Sequence, residues 1–210
     1  VSAADGGKNA VSGGDVTVSG RIYGMTSTNA GSNSINITTA SGNADVAGDA
    51  LGMSATSSGS NSINADSGEV RVSSNVWGMN ASSSGGNSIN TKSGDVRVSG
   101  NYHGMDASSS GSNSIKTDLG NVSVSSNAAS MYASSSGSNS IETEGGNVGV
   151  AAVGSYGVGM YADLTGKNSI DAKDGNVAVT ATGSINGHSM YAANACSSNR
   201  IETTGGTVEI

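Results

Sequence analysis

Three carboxylates occupy one recurring position in this chain, directly after an isoleucine. They are Glu142, Asp171 and Glu202, at intervals of 29 and 31 residues. If successive repeats stack like neighbouring strands, two such carboxylates lie about 5 Å apart, the separation that retaining glycosidases use. The same position in earlier repeats holds Asn36, Asn64, Asn90 and Lys116. This acidic column predicts, as an alternative function, a glycan-cleaving β-helix enzyme, either a lyase or a glycoside hydrolase.

Catalysis by such a pair also requires a cleft and one carboxyl group with a raised pKa. The sequence indicates neither. Lys116 belongs to the column, and Glu144 and Lys173 lie close to it in sequence; these charges are typical of a mixed-charge ladder on a solvated strand. We therefore expect no catalytic residue, and the enzyme stays the alternative.

A second recurring position, directly after a methionine, carries an aromatic residue in three successive repeats. The residues are Tyr132, Tyr161 and Tyr191. An exposed row of tyrosine rings is suited to two roles, since flat rings contact sugars and stacked rings stabilise a sheet face. We expect stabilisation first and keep these three residues as candidate ligand-binding residues.

The sequence predicts no metal site and no cofactor. His103 and His188 both precede a methionine by two residues, but they lie three repeats apart, about 14 Å at strand spacing. The calcium-binding pattern G-G-x-G-x-D is absent. The single cysteine, Cys196, is expected to be a buried small residue, because the repeat places no histidine beside it.

These positions belong to a repeat that covers the whole chain. The nonapeptide ASSSGSNSI occurs at 107–115 and again at 133–141, and its Asn and Ile recur at intervals of 28, 26, 26, 26, 29 and 31 residues. All seven methionines fall on the same lattice, and a Gly-x-Val-x-Val pattern appears between Ile and Met, as in GDVRV at 94–98. Self-similarity at such a period is typical of solenoids.

Apolar residues alternate within each of these landmarks, as in Val70 and Val72, which is the period of a half-buried strand. Three short strands cannot bury a core within one repeat, but stacked repeats can. We predict an all-β fold: a single-stranded right-handed parallel β-helix, or β-solenoid, with about 26 residues and three short strands per coil and 7–8 coils. It forms one domain, 1–210, expected to be a segment of a longer repeat array.

The recurring asparagines predict a structural ladder inside the solenoid. An inward Asn in every coil can bond its own turn and the amide of the next Asn, which fixes the register of the stack. The predicted ladder consists of Asn33, Asn61, Asn87, Asn113, Asn139, Asn168 and Asn199.

Composition restricts the partners. The net charge is −7 and the nine Lys and Arg residues are not clustered, which argues against nucleic acid. No apolar run reaches the roughly 18 residues of a membrane helix, so no membrane contact is expected in this segment. Proline is absent, as expected where every strand is flanked on both sides and needs its N–H.

The GSNSI turns, the GNVSV-type strands and the GM or MYA strands resemble the passenger domains of bacterial autotransporters and related large surface adhesins. This resemblance is architectural and covers essentially the whole chain. It implies a secreted or cell-surface bacterial protein with a structural or adhesive role in virulence, in contact with host glycans or proteins.

Two further expectations concern the edges of the solenoid. The distance from Val to Met grows from seven residues to ten after Val150 and to eleven after Val179, which predicts a loop at one corner. The last residues stop within a strand, so an open sheet edge is expected to favour self-association through the solenoid ends.

Overall fold

A computed structural model describes residues 1–39, 41–154, 157–163, 165–182, 187–192 and 196–210 of the chain. In these ranges the chain is all-β, and its 24 strands form three parallel sheets of eight strands each. Successive strands belong to different sheets. Each strand pairs with the strand three positions later in the chain, which is its equivalent in the next coil. The predicted β-solenoid is confirmed, with about seven turns of about 26 residues.

We name the sheets after their recurring inward residue, and number the strands in chain order. The Met sheet comprises β1 (Ser2–Ala3), β4 (Tyr23–Ser27), β7 (Leu51–Ala55), β10 (Trp77–Ala81), β13 (His103–Ala107), β16 (Ala129–Ala133), β19 (Val158–Ala162) and β22 (His188–Ala192). The Ile sheet comprises β2 (Lys8–Gly13), β5 (Ser32–Ile37), β8 (Asn61–Ala65), β11 (Asn87–Thr91), β14 (Asn113–Thr117), β17 (Asn139–Thr143), β20 (Lys167–Ala172) and β23 (Ser198–Thr203). The Val sheet comprises β3 (Val16–Gly20), β6 (Ala44–Gly48), β9 (Val70–Ser74), β12 (Val96–Gly100), β15 (Val122–Ser126), β18 (Val148–Val153), β21 (Val177–Thr182) and β24 (Val208–Glu209).

The core is a narrow ribbon of identical residues stacked coil on coil. Ile89 pairs with Ile63 on one side and with Ile115 on the other. The methionines and valines form equivalent columns, and Met79 and Val124 are fully buried. Each coil thus buries its few aliphatic side chains against the same residues of its neighbours, which explains how a glycine-rich chain sustains a core.

The inward asparagines form the predicted ladder. The side-chain amide of Asn113 donates to Asn139 Oδ1 at 2.8 Å and to the backbone oxygen of Tyr132 at 2.8 Å, while its own Oδ1 accepts from Asn87. The same pattern runs from Asn33 through Asn61, Asn87, Asn113, Asn139 and Asn168 to Asn199, and it extends to Asn9. Since buried amides must find partners, the ladder locks neighbouring coils in register.

A second ladder lies on the outside, at the residue between Gly and the first Val of the Gly-x-Val-x-Val pattern. The backbone N–H of Asn121 donates to Asp95 Oδ1 at 2.9 Å, and that of Asn147 donates to Asn121 Oδ1 at 3.0 Å. Asn176 and Thr207 continue the series with bonds of 3.0 Å. The Gly-x-Val-x-Val pattern is evident in the sequence. The outer ladder, however, is formed by the residue x after Gly, whose type varies from coil to coil.

Glycines allow the coils to approach closely at two corners. A Cβ on Gly120 would collide with the carbonyl group of Gly94 in the preceding coil, and Gly111 faces Gly85 in the same way. The turns before β8, β11, β14 and β17 each hold two serines at positive φ, such as Ser109 (φ 55°) and Ser110 (φ 76°) before β14. The repeated nonapeptide therefore encodes a tight corner.

The longer connections after Val150 and Val179 run from β18 to β19 and from β21 to β22. The predicted corner loop falls at this boundary between the Val and Met sheets, and its residues 155–156 and 183–186 lie outside the described ranges. Among the described residues, no helix has the length and apolarity needed to cross a bilayer.

Candidate ligand-binding face

The three candidate tyrosines stack on the outer face of the Met sheet. The ring centroids of Tyr132 and Tyr161 are 4.8 Å apart with an interplanar angle of 10°, and those of Tyr161 and Tyr191 are 5.4 Å apart at 27°. Tyr132 and Tyr161 are half-buried and Tyr191 is exposed. Their register follows from the strands, which pair Tyr132 with Tyr161 and Tyr161 with Tyr191.

This stacking changes the chemistry that the row can offer. Because neighbouring rings cover each other's faces, Tyr161 presents its edge to a ligand, and the flat platform expected from the sequence is not available there. Burial raises the pKa of the Tyr132 and Tyr161 hydroxyl groups, so both remain protonated donors at neutral pH. The face therefore presents a row of hydroxyl groups and ring edges, one per coil.

His103 extends the stack by one coil. Its ring lies 4.9 Å from that of Tyr132, and Tyr102 packs edge-on against it at 4.4 Å. His103 Nδ1 lies 3.2 Å from the backbone oxygen of Ala129, to which it donates, so Nε2 carries the free lone pair. The spacing of the histidines in the sequence bears only on a metal site, and nothing in it indicates this aromatic role of His103.

Beside His103 lies a buried carboxyl group, Asp106. Only 8% of its surface is exposed, and burial raises its pKa to about 6. Burial likewise lowers the pKa of His103 to about 4. Asp106 Oδ1 and Trp77 Nε1 are both buried without a hydrogen-bond partner. This cluster is the most perturbed titratable site among the residues that the structure describes, and such sites often coincide with function.

A bulge places His103 and Asp106 on the same face of β13, and the pairing skips the residue before Met in the same way from β4 to β22. The intervening Gly104 points inward, since a Cβ there would lie 2.9 Å from a methyl group of the core residue Val124, and Met105 is inward too. Two successive inward residues shift the alternation by one position. As a result, residues three positions apart lie side by side on the outer surface.

The acidic column lies on the Ile sheet, away from the tyrosine stack. Glu142 pairs in register with Asp171, and Asp171 pairs with Glu202, so the structure brings the three carboxylates into adjacent coils. Glu142 binds Lys116 at 2.7 Å, and Glu202 contacts Arg200. These ion pairs match the mixed-charge ladder. A catalytic use of the column stays a prediction.

The remaining two candidates, His188 and Cys196, belong neither to the His103–Asp106 cluster nor to the acidic column. His188 contacts Tyr191 with ring centroids 4.9 Å apart, at the far end of the tyrosine stack from His103. Cys196 is exposed, so the expectation of a buried residue was wrong; it lies in the turn between β22 and β23, outside the stacked strands. In the described ranges, no three His, Cys, Asp or Glu side chains are grouped closely enough to hold a metal ion.

No protein-family model matches the chain, and neither a curated protein nor a solved structure shows significant similarity to it. The resemblance to autotransporter passengers therefore rests on the repeat alone.

Proposed function

We propose that the chain is a rigid structural and adhesive segment of a bacterial cell-surface or secreted protein. The observation that supports this most directly is the uninterrupted asparagine ladder from Asn9 to Asn199, which ties all eight layers of strands into one stack. Seven intervals at strand spacing give a rod about 34 Å long. Such a rod serves as a spacer or stalk whose length is set by its number of coils.

Adhesion is the second part of the proposal, and we assign it to the tyrosine face. A row of hydroxyl donors at one-coil intervals suits hydroxyl-rich ligands, because each phenol can both donate to and accept from a sugar hydroxyl. Host glycans or host proteins are the ligand classes that fit. Export to the bacterial surface is supported by the resemblance of the repeats and completes the proposal.

The rod is tested by small-angle scattering on the chain and on a variant with one duplicated 26-residue coil. The maximum dimension should increase by about 5 Å. A compact or unchanged particle would contradict the rod.

The tyrosine face is tested on a glycan and host-protein array with Tyr161→Phe and Tyr161→Ala. Phe keeps the ring stack and removes the hydroxyl group, so both variants should lose binding if the hydroxyl row makes the contact. Binding that persists in both variants would reject this face.

The alternative, glycan cleavage by the acidic column, needs its own assay. Turnover of acidic and neutral polysaccharides is measured for the wild type and for a triple alanine variant at Glu142, Asp171 and Glu202. We expect no turnover in either protein. Cleavage by the wild type that disappears in the variant would replace the structural proposal with an enzyme.

A further inference from the structure

A long groove follows the boundary at which each Val-sheet strand ends and the chain turns towards the Met sheet. It consists of two cavities of about 730 and 240 Å³, and both are lined by Ser74. Together they extend from Ser19 in β3 to Val153 in β18, across six coils. At strand spacing this is a groove about 24 Å long, parallel to the solenoid axis.

The groove presents the same polar groups in successive coils. Its lining repeats an outward serine and an exposed asparagine, in the pairs Ser73 and Asn75, Ser99 and Asn101, and Ser125 and Asn127. None of these three amide side chains bonds to another described residue, so each offers two donors and an acceptor to a ligand. This contrasts with the ladder asparagines inside the solenoid, whose amides are satisfied.

Two further hydroxyl groups of the lining are unpartnered. Ser74 Oγ and Ser126 Oγ have no hydrogen-bond partner, and Ser126 is 8% exposed. Buried polar atoms in a folded protein are usually paired, so unpaired ones in the wall of a cavity call for an explanation. Both oxygens are covered by the protein, so the polar groups that the groove offers to a ligand are the exposed asparagine amides.

Exposed apolar residues follow the lining residues of the groove in three coils. Ile22 (57%) follows Arg21, Val76 (37%) follows Asn75 and Tyr102 (55%) follows Asn101, and we call these three the apolar rim. Exposed apolar side chains concentrated beside a polar cavity are typical of interaction sites. The ligand therefore needs one apolar face and one edge rich in hydrogen-bonding groups.

The charge of the groove lining restricts the class of ligand further. The charged lining residues are Arg21 and Asp49, both at the N-terminal end and opposite in sign, and the described lining from Ser73 to Val153 carries no charge. A polyanion or polycation would lose hydration without gaining a counter-charge there. An uncharged polymer avoids this cost.

From this groove, its free amides and its apolar rim, we infer a binding site for a neutral oligosaccharide chain that runs parallel to the solenoid axis. The sugar hydroxyl groups bond to Asn75, Asn101 and Asn127, and the apolar ring faces pack on Val76 and Tyr102. The choice of a glycan as ligand rests on the proposed function. The binding surface is different, because the groove does not include the tyrosine stack.

The test compares the intact chain with matched triple variants on an array of neutral and charged oligosaccharides of increasing length. The groove variant combines Asn75→Ala, Asn101→Ala and Asn127→Ala. The control combines Asn36→Ala, Asn64→Ala and Asn90→Ala, which removes three amides from one column on the outer face of the Ile sheet. Unchanged thermal unfolding of both variants verifies that the fold is intact.

We expect neutral oligosaccharides to bind, longer ones more tightly, with Kd raised at least about tenfold in the groove variant and little changed in the control. Loss of binding in Tyr161→Ala alone would overturn the groove and retain the tyrosine face. Loss in the groove variant alone would support the groove and reject the tyrosine face. The inference would be overturned if the wild type bound no neutral glycan, or if it bound extended peptides more tightly. Neither result would affect the proposed rod, which small-angle scattering tests separately.

Discussion

His103 Nε2 lies 3.9 Å from Asp106 Oδ2 on the outer face of the Met sheet, although the two residues are three positions apart in one strand. Burial favours the neutral form of both groups, because it lowers the pKa of the imidazole and raises that of the carboxyl group. Between about pH 4 and 6 the folded protein therefore holds one proton on Asp106, whereas the unfolded chain holds one on His103. The two pH dependences cancel in the wild type.

Single substitutions should expose these opposed dependences. In Asp106→Asn only His103 remains, with its pKa lowered from 6.5 to about 4, so the free energy of unfolding should fall as pH drops from 6.5 towards 4. In His103→Gln only Asp106 remains, with its pKa raised from 3.8 to about 6, so stability should fall as pH rises from 4 to 6. Each change should amount to about 2–3 kcal/mol.

Urea unfolding from pH 4 to 7 measures both slopes, with the double variant as the baseline for all other titrating groups. Parallel pH profiles for the two single variants would contradict the assignment.

Removing one member of the asparagine ladder should be costly. Asn113→Ala removes one of the acceptors of the Asn87 amide and the side-chain donor to both Asn139 Oδ1 and the backbone oxygen of Tyr132, so we expect a loss of about 3 kcal/mol in the free energy of unfolding. The exposed Asn90→Ala is the control and should change stability by less than about 0.5 kcal/mol. Chemical denaturation compares them, and equal effects would show that the ladder adds nothing to stability.

Alanine in place of glycine should have opposite effects at two sites. Gly120→Ala drives a methyl group into the carbonyl of Gly94, so we expect a loss of about 2 kcal/mol or more. At Gly149 the nearest atom to a new Cβ is 3.9 Å away, and alanine should stabilise strand β18 by about 0.5 kcal/mol. Thermal unfolding measures both, and a tolerated Gly120→Ala would mean that the coils can separate at this corner.

The tyrosine stack should contribute to stability independently of any ligand. Tyr161 contacts a ring on each side, so Tyr161→Ala should cost about 1–2 kcal/mol, whereas Tyr161→Phe should be nearly neutral. Urea unfolding of the two variants distinguishes them. A destabilised Phe variant would assign the effect to the hydroxyl group instead of the stack.

The fold was predictable because one rule applies in every coil. Asn87 and Ile89 face the same residue types above and below, so a strict sequence period predicts register directly. The outer face was less predictable. Alternation alone sends His103 and Asp106 to opposite sides, and only the bulge at Gly104 brings them together.

A sequence signal for that bulge exists, since glycine precedes methionine in each of the first four coils, at Gly24, Gly52, Gly78 and Gly104. The groove was missed for a different reason. Its serines and asparagines resemble ordinary turn residues, and only the folded chain shows that Asn75, Asn101 and Asn127 have free amides along one cavity.

The register of the nonapeptide has a genetic consequence. The identical stretches at 107–115 and 133–141 occupy equivalent places in successive coils, with Asn113 over Asn139 and Ile115 over Ile141. Recombination between the two coding segments would delete or duplicate 26 codons, one complete coil, and would rejoin the ladder without a mismatch. Selection can thus adjust the reach of this protein in single steps of about 5 Å while leaving its interior unchanged.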